Sequence, residues 1–331
     1  MLKLGLLGAG RIGITHAKAV MSVPDATISA IFDPVDAAAA AAIKITGGKR
    51  ATVQEIMASP DIDGVIIATP TDLHAEQIEL AARAGKAIFC EKPIDLSIER
   101  VRQCLETVDK SGVTLMVGFN RRFDKSFGRL KAEIEKGSVG EVELVQIISR
   151  DPAAPPVEYI KRSGGIFRDM MIHDFDMARW LLGEEIIEVS ATGSALTDPA
   201  IADADDYDTA TATLRTKSGK IAVITNSRRA SYGYDQRIEV HGSLGMAEAG
   251  NHRATSVTVA TGDGYNCDPL LDFFMERYAD AYRAELQSFV KLLSGEQVSI
   301  PDGHDGMSAL KLADAALESA NQGRTIVLHQ S

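Results

Sequence analysis

Lys3-Leu4-Gly5-Leu6-Leu7-Gly8-Ala9-Gly10-Arg11-Ile12-Gly13 decides the fold. Lys3 to Leu7 is a short apolar run of strand type, and Ile14 to Val20 is suited to a helix. Between them stands Gly-x-Gly-x-x-Gly, in the strand-then-helix context that lifts this pattern above chance. Each glycine meets a separate demand. Gly8 makes the tight turn, Gly10 lets backbone approach a pyrophosphate, and Gly13 lets helix pack on strand, while the helix N-terminus faces the anion. Gly8, Ala9, Gly10, Arg11 and Ile12 are therefore expected to line a dinucleotide.

Further along, the run Thr27 to Phe32 reads as a strand and delivers Asp33, 20 residues after Gly13. At that spacing an acidic side chain bonds the ribose hydroxyls. Pro34 and Val35 follow, with no Arg or Ser to hold a 2′-phosphate, so NAD is expected rather than NADP. An Ala-rich helix spans about Val35 to Thr46. Gly64 to Ala68 is a buried-type strand ending at Thr69, and a helix runs on to Ala84 before Gly85. His74 belongs either near the cofactor or simply in the first turn of that helix. A strand over Ala87 to Phe89 then delivers Cys90-Glu91-Lys92-Pro93, and a helix begins near Ser97. Thr69, Glu91 and Lys92 all follow strands at their carboxyl ends, where open α/β sheets bind ligands. Pro93 holds Lys92 extended. A lysine there, beside a nicotinamide, polarises a substrate hydroxyl or carbonyl, and loses its proton readily if desolvated; otherwise it is a surface turn residue. The strand Thr114 to Gly118 closes this α/β unit.

The 331 residues suffice for two domains with sizeable cores. A formal net charge of −11 argues against a nucleic-acid or anionic-membrane partner, which would call for a basic patch. Cys90, Cys104 and Cys267 stand apart and fit neither a disulfide frame nor a zinc site, so no metal is expected. No apolar run is long enough to span a bilayer and no charged leader with an apolar core precedes Leu2, which makes the cytoplasm the default compartment.

The stretch from Phe167 to Trp180 is the second centre of the chain. Apolar residues at Ile172, Phe175, Met177, Ala178, Leu181 and Leu182 have the spacing of a buried helical stripe, and Gly183 is a stop signal. Asp169 and His173 stand four residues apart, one turn apart on one face. A carboxylate so placed orients an imidazole and stabilises its protonated form, which makes the histidine a usable general base. Taken alone, the pair also fits a solvated face. The Gly164-Gly165 pair before it suits a close-approach loop.

A helix is expected from Asp124 to Lys136 and a strand from Glu141 to Ser149, followed by a stiff Pro-rich loop. Strand-like runs follow at Ile186 to Leu196, Ala210 to Thr216, Lys220 to Arg228, Asp235 to Gly242 and Thr255 to Ala260. Short links between them predict a mostly antiparallel open sheet. A helix over Phe273 to Leu293 and another over Asp305 to Asn321 precede a last strand, Thr325 to Leu328. The fold class is thus α/β: an N-terminal Rossmann fold plus a C-terminal α+β domain with a large, mostly antiparallel open sheet.

Gly8-Ala9-Gly10-Arg11-Ile12-Gly13, Glu91-Lys92-Pro93, Gly118-Phe119-Asn120-Arg121-Arg122-Phe123-Asp124 and the stretch from Gly164 to Gly183 together resemble the glucose–fructose oxidoreductase / inositol dehydrogenase / rhizopine-catabolism superfamily. The likeness runs the whole length, in order, and is closest to the bacterial inositol 2-dehydrogenases. It implies an NAD-binding domain over 1–119, a substrate and oligomerisation domain over 120–303, and a segment 304–331 that packs back on the first. It also implies NAD-dependent oxidation of a ring polyol, myo-inositol going to scyllo-inosose, with scyllo-inositol, a hexose or a dihydrodiol as alternative substrates. His173 becomes the base, Asp169 its orienter, and Lys92 the group bonding the reacting oxygen, so that positions 92 and 173 must meet at one dinucleotide. Arg121, with Asn120 as a weaker companion, is placed at the substrate, and Arg122 becomes a structural ion-pair partner. Asp151 is either a pocket residue or the turn residue before Pro152. Tyr232 is favoured over Tyr234 for a substrate hydroxyl. Met171 stands where the likeness leads one to expect a small polar residue. The family's usual assembly implies a homotetramer. A non-catalytic NAD-binding regulator would show the loss of Lys92, Asp169 or His173, and all three are present.

Overall fold

The strand β1 (Leu2–Leu7) starts the first sheet, and the computed structural model describes residues 1–328. In chain order there follow α1 (Arg11–Val20), β2 (Ala26–Phe32), α2 (Asp36–Thr46), β3 (Lys49–Arg50), α3 (Val53–Ala58), β4 (Gly64–Ile67), α4 (His74–Arg83), β5 (Ala87–Cys90), α5 (Ile98–Ser111) and β6 (Leu115–Val117). Every pairing in this sheet is parallel, and its order is β3-β2-β1-β4-β5-β6. The order reverses between β1 and β4, which opens a crevice at their carboxyl ends. Leu4, Leu6, Leu7, Val65, Ile66, Ile67, Ile88 and Phe89 are fully buried, as strands covered on both faces require.

The second sheet is built on β7 (Val142–Arg150), which follows α6 (Lys125–Glu135). Next come α7 (Val157–Ser163), a π-turn over Ile166–Met170, α8 (Ile172–Leu182), β8 (Ile186–Ser194), α9 (Pro199–Ala202), β9 (Thr209–Thr216), β10 (Ile221–Ser227), β11 (Asp235–Gly242) and β12 (Gly245–Ala249). A hairpin of β13 (Thr258–Thr261) and β14 (Gly264–Cys267) precedes α10 (Phe274–Arg277), α11 (Ala279–Leu293), α12 (Gly303–Gln322) and β15 (Ile326–Val327). The sheet order is β12-β11-β7-β10-β9-β8-β15, antiparallel except for the β7–β10 pair. Val145, Ile147 and Ser149 on β7, and Ala222, Ile224 and Asn226 on β10, alternate inward; Asp174 of α8 bonds Ser149 and Asn226 on that side.

Two compact units result: Met1–Phe123 with Ala279–Leu310, and Asp124–Tyr278 with residues 311–328. Within the C-terminal segment, the start of α12, up to Leu310, lies in the first unit, and the last strand differs from the expectation. The last strand, expected against the nucleotide domain, pairs with β8 in the second sheet because Ile326 and Val327 complete the ladder opposite Val189 and Glu188. Conversely α11 joins the first unit, where Tyr282 and Phe289 pack their rings on His16 and Phe89. The helix expected from Phe273 to Leu293 breaks at Tyr278, which separates α10 from α11. The run at Thr255 to Ala260 forms an exposed hairpin instead of a strand of the large sheet, since Val257 and Val259 have no apolar face to join. Among the described residues no helix is long and apolar enough to cross a membrane.

Candidate active site

At the carboxyl end of β1, Gly8 has φ +89°, and a Cβ there would meet the Ala68 carbonyl oxygen at 2.5 Å. A Cβ at Gly13 would lie 2.1 Å from the Gly8 carbonyl oxygen, so α1 sits on the loop as closely as backbone allows. Gly10 faces open space, and no side chain caps the N-terminus of α1. The helix end is thereby left to an anion. Asp33 is buried; its Oδ2 accepts the Ala9 amide at 2.7 Å and its Oδ1 the Val35 amide at 2.8 Å. One carboxylate thus ties the glycine loop to the end of β2, and a carboxylate has lone pairs to spare for ribose hydroxyls. These residues fit a dinucleotide.

On the other side of the crevice, β5 delivers Glu91 and Lys92, and the Lys92–Pro93 peptide is cis. His74 opens α4 and is buried, with Nδ1 2.8 Å from the Pro93 carbonyl oxygen and Nε2 2.8 Å from that of Thr69. Of its two readings, the first helical turn is therefore the observed position, and the ring bridges the two loops. Thr69 donates its hydroxyl to Gln77 Oε1 at 2.7 Å. Glu91 Oε1 lies 2.6 Å from Nε2 of the fully buried His16, and the Lys92 amide reaches Glu91 Oε2 at 3.3 Å. Lys92 itself is half-buried.

In the second unit the expected single helix is two pieces. The Met171 amide bonds the Ile166 carbonyl five residues back, 2.8 Å away, which makes Ile166–Met170 a π-turn before α8 begins at Ile172. Such turns gather at functional positions. Asp169 ends up in the π-turn and His173 in the first turn of α8, both half-buried. The Tyr159 hydroxyl of α7 donates to Asp169 Oδ1 at 3.0 Å. Asp206 Oδ1 accepts the Ile166 amide at 2.9 Å, and the buried Arg228 guanidinium lies 3.5 Å from Asp206 Oδ2. Deeper in, Asp174 accepts the Ser149 hydroxyl at 2.6 Å and the Asn226 side-chain Nδ2 at 2.8 Å, fixing α8 to β7 and β10. Met171 is fully buried.

The remaining candidates are distributed. Asn120 and Arg121 are buried in a 3₁₀ turn over Asn120–Phe123. Arg122 binds Asp305 with both nitrogens at 3.1 Å, as a structural ion-pair partner does. Asp151 extends the β7–β10 pairing through its amide, 2.9 Å from the Ser227 carbonyl oxygen. Tyr232 accepts from Arg150 and donates to Asp235, each at 2.7 Å. With Thr209, Thr211, Thr225 and Arg229 it lines a cavity of about 310 Å³. Asn226, which bonds Asp174 of α8, lines the same cavity. Tyr159, Asp206 and Asp174 escaped sequence reading. Only Asp174 carried a signal, a charge amid the apolar stripe of α8.

Residues 2–119 match the family model described as "Oxidoreductase family, NAD-binding Rossmann fold", and residues 131–328 match "Oxidoreductase family, C-terminal alpha/beta domain". The chain is 58% identical over 325 residues to an inositol 2-dehydrogenase of Rhizobium meliloti (strain 1021), covering 98% of each chain. It superposes on the crystal structure of a myo-inositol dehydrogenase from Corynebacterium glutamicum ATCC 13032 with a TM-score of 0.95, 44% identity and 100% of both chains covered. It also superposes on scyllo-inositol dehydrogenase from Lactobacillus casei with bound NAD(H) and scyllo-inositol, with a TM-score of 0.92, 32% identity and 99% of both chains covered. The chain belongs to the glucose–fructose oxidoreductase / inositol dehydrogenase / rhizopine-catabolism family of oxidoreductases.

Proposed function

We propose that the protein is an NAD-dependent inositol 2-dehydrogenase that oxidises myo-inositol to scyllo-inosose. One observation carries the reading: full-length identity of 58% to an inositol 2-dehydrogenase, in a chain that has Lys92, Asp169 and His173 together with an acidic Asp33 holding the glycine loop. scyllo-Inositol is the second substrate to consider, because the Lactobacillus casei relative was solved with it bound.

NAD, when bound, accepts the hydride from the carbinol carbon. The rest is positioning and electrostatics by the chain. Gly8, Ala9, Gly10, Arg11 and Ile12 cradle the pyrophosphate at the head of α1, and Asp33 takes the ribose hydroxyls. Thr69, His74 and Glu91 shape the crevice wall. His173 removes the hydroxyl proton as the carbonyl forms. Asp169 orients the imidazole and stabilises it once charged. Lys92 donates to the reacting oxygen. Asn120, Arg121 and Asp151 bind the other ring hydroxyls. Tyr232 has a smaller claim than its sequence position gave it, since its hydroxyl already bonds Arg150 and Asp235. A cytoplasmic homotetramer completes the proposal, for which sedimentation velocity is the direct measurement.

The test is NADH formation followed with myo-inositol, scyllo-inositol, chiro-inositol and glucose, each with NAD and NADP. Turnover with myo-inositol and NAD above all other pairs is the expected result. Glucose with NADP as the best pair would sink it.

A further inference from the structure

Arg228 follows β10 and is 1% exposed, one of the largest fully buried side chains among the described residues. Its amide donates to the Asp208 carbonyl oxygen at 2.7 Å, which carries the β9–β10 pairing one step past Thr209 and Ser227. Its guanidinium pairs with Asp206, Nη2 lying 3.5 Å from Oδ2. Among the described residues Nη1 and Nη2 donate no hydrogen bond and Asp206 Oδ2 accepts none, so the two buried charges balance each other. A carboxylate at that depth needs a paired cation, and removing one partner strands the other.

The other oxygen of Asp206 serves the π-turn. Oδ1 accepts the Ile166 amide at 2.9 Å, and Gly165 leaves it room, since a Cβ there would come within 2.5 Å. The Ile166 carbonyl accepts the Met171 amide at 2.8 Å, and the Met171 carbonyl accepts the amides of Asp174 and Phe175 at 2.9 Å each. Tyr207, next to Asp206, sets its ring edge-on to Phe167 of the same turn at 6.0 Å. The path from Arg228 to the first turn of α8 is therefore continuous, and Asp169 and His173 lie along it.

We propose that Arg228 is a positioning residue for the Asp169–His173 pair. Its guanidinium holds the Asp206 carboxylate where Oδ1 takes the Ile166 amide, and that bond fixes where the π-turn ends and α8 begins. Without the cation the carboxylate turns toward solvent, and the Ile166 amide loses its acceptor. The inference rests on the reading of His173 as the base and Asp169 as its orienter.

The test is a double-mutant cycle. Arg228→Met removes the cation at similar volume. Asp206→Asn removes the anion but keeps an oxygen for the Ile166 amide. The double variant buries no net charge. Oxidation of myo-inositol is expected to show kcat reduced about 10-fold or more in each single variant and within about 3-fold of wild type in the double, with the KM for NAD unchanged throughout. A single variant too unstable to assay is replaced in the comparison by the other, since each strands one charge. A readout without substrate separates positioning from stability alone. The ring of ¹³C-labelled His173, assigned with His173→Ala, is titrated by NMR. Its midpoint is expected to fall in the single variants, because a carboxylate that no longer faces the ring favours the charged form less, and to return in the double. A double variant as slow as the singles, or singles that lose stability while the His173 midpoint stays where it was, overturns the proposal. A wild-type protein inert toward every polyol removes the inositol reading instead, and the His173 titration still decides the role of Arg228.

Discussion

The hydroxyl of Tyr159 lies 3.0 Å from Oδ1 of Asp169, so the carboxylate one turn before His173 is itself held by a side chain from the preceding helix. A carboxylate that orients a base works best when its own rotamer is fixed. Tyr159→Phe deletes the hydroxyl and little else. It is expected to lower kcat for myo-inositol about 3- to 10-fold, since a single hydrogen bond to a charged group is worth about 1 kcal/mol or somewhat more at a half-exposed site, with the KM for NAD unchanged. Steady-state kinetics at saturating NAD check it, and an unaltered kcat would show that Asp169 is held by other means.

Gly165 has φ +79°, and a Cβ built on it would sit 2.5 Å from Asp206 Oδ1, the oxygen that accepts the Ile166 amide. Gly165→Ala therefore meets backbone strain and displaces the carboxylate that starts the π-turn. Its cost is on the order of 1–3 kcal/mol, seen as a lower denaturant midpoint at unchanged slope. Activity should fall further than stability alone explains, because the displaced turn carries Asp169. Gly64→Ala in β4 is a useful contrast: it has no positive φ, so a loss there reports only crowding against Ala87 and Leu4.

How much of this was readable beforehand depends on the range of the interaction. The glycine loop, Asp33 and the strand-end Glu-Lys-Pro were legible because a dinucleotide site is built from short, ordered backbone motifs whose demands show in sequence spacing. The buried stripe of α8 was legible for the same local reason. The π-turn was not, because its cause is distant: Asp206, 40 residues away, takes the Ile166 amide. Strand partners were equally hidden, so nothing in Thr325 to Leu328 says that the strand joins β8. A hydroxyl near a strand end, as in Tyr232, carries no mark in the sequence of its partners, which are Arg150 and Asp235.

Asp208 gives an acid-side signature. Burial by itself would raise its carboxyl, but the amides of Leu196 and Thr197 and the hydroxyls of Thr197 and Thr209 outweigh this and hold it below the usual range. A depressed folded-state value contributes stability that is present above the unfolded value of about 4 and is lost as pH falls through the folded one. Asp208→Asn should thus be less stable than wild type at neutral pH, with the gap closing below about pH 4. Denaturant unfolding at a series of pH values reads it; a constant gap across the series would refute the linkage.

Asp33 bonds the amides of both Ala9 and Val35, so its removal acts on the loop as well as on the ribose. Asp33→Ser is expected to raise the KM for NAD about 10- to 100-fold, the range for losing hydrogen bonds to a charged acceptor. It should lower the KM for NADP at the same time, because a negative charge no longer opposes the 2′-phosphate. NAD and NADP titrations of NADH or NADPH formation check both halves. A variant that loses NAD without gaining NADP would show that the loop tie outweighs ribose recognition.

His173→Ala isolates the base. Loss of a general base typically costs about 10² to 10⁴ in rate. The dinucleotide residues lie in the other structural unit, so NADH affinity should stay within about 2-fold by fluorescence titration, a margin that corresponds to under 1 kcal/mol. Lys92→Ala should also lower kcat, and the double variant should lose much less than the product of the two single losses, because groups that act on one reacting oxygen are not independent. Fully multiplicative losses would mean that the two side chains serve separate steps, and the shared-oxygen assignment would then fall while the base assignment stood.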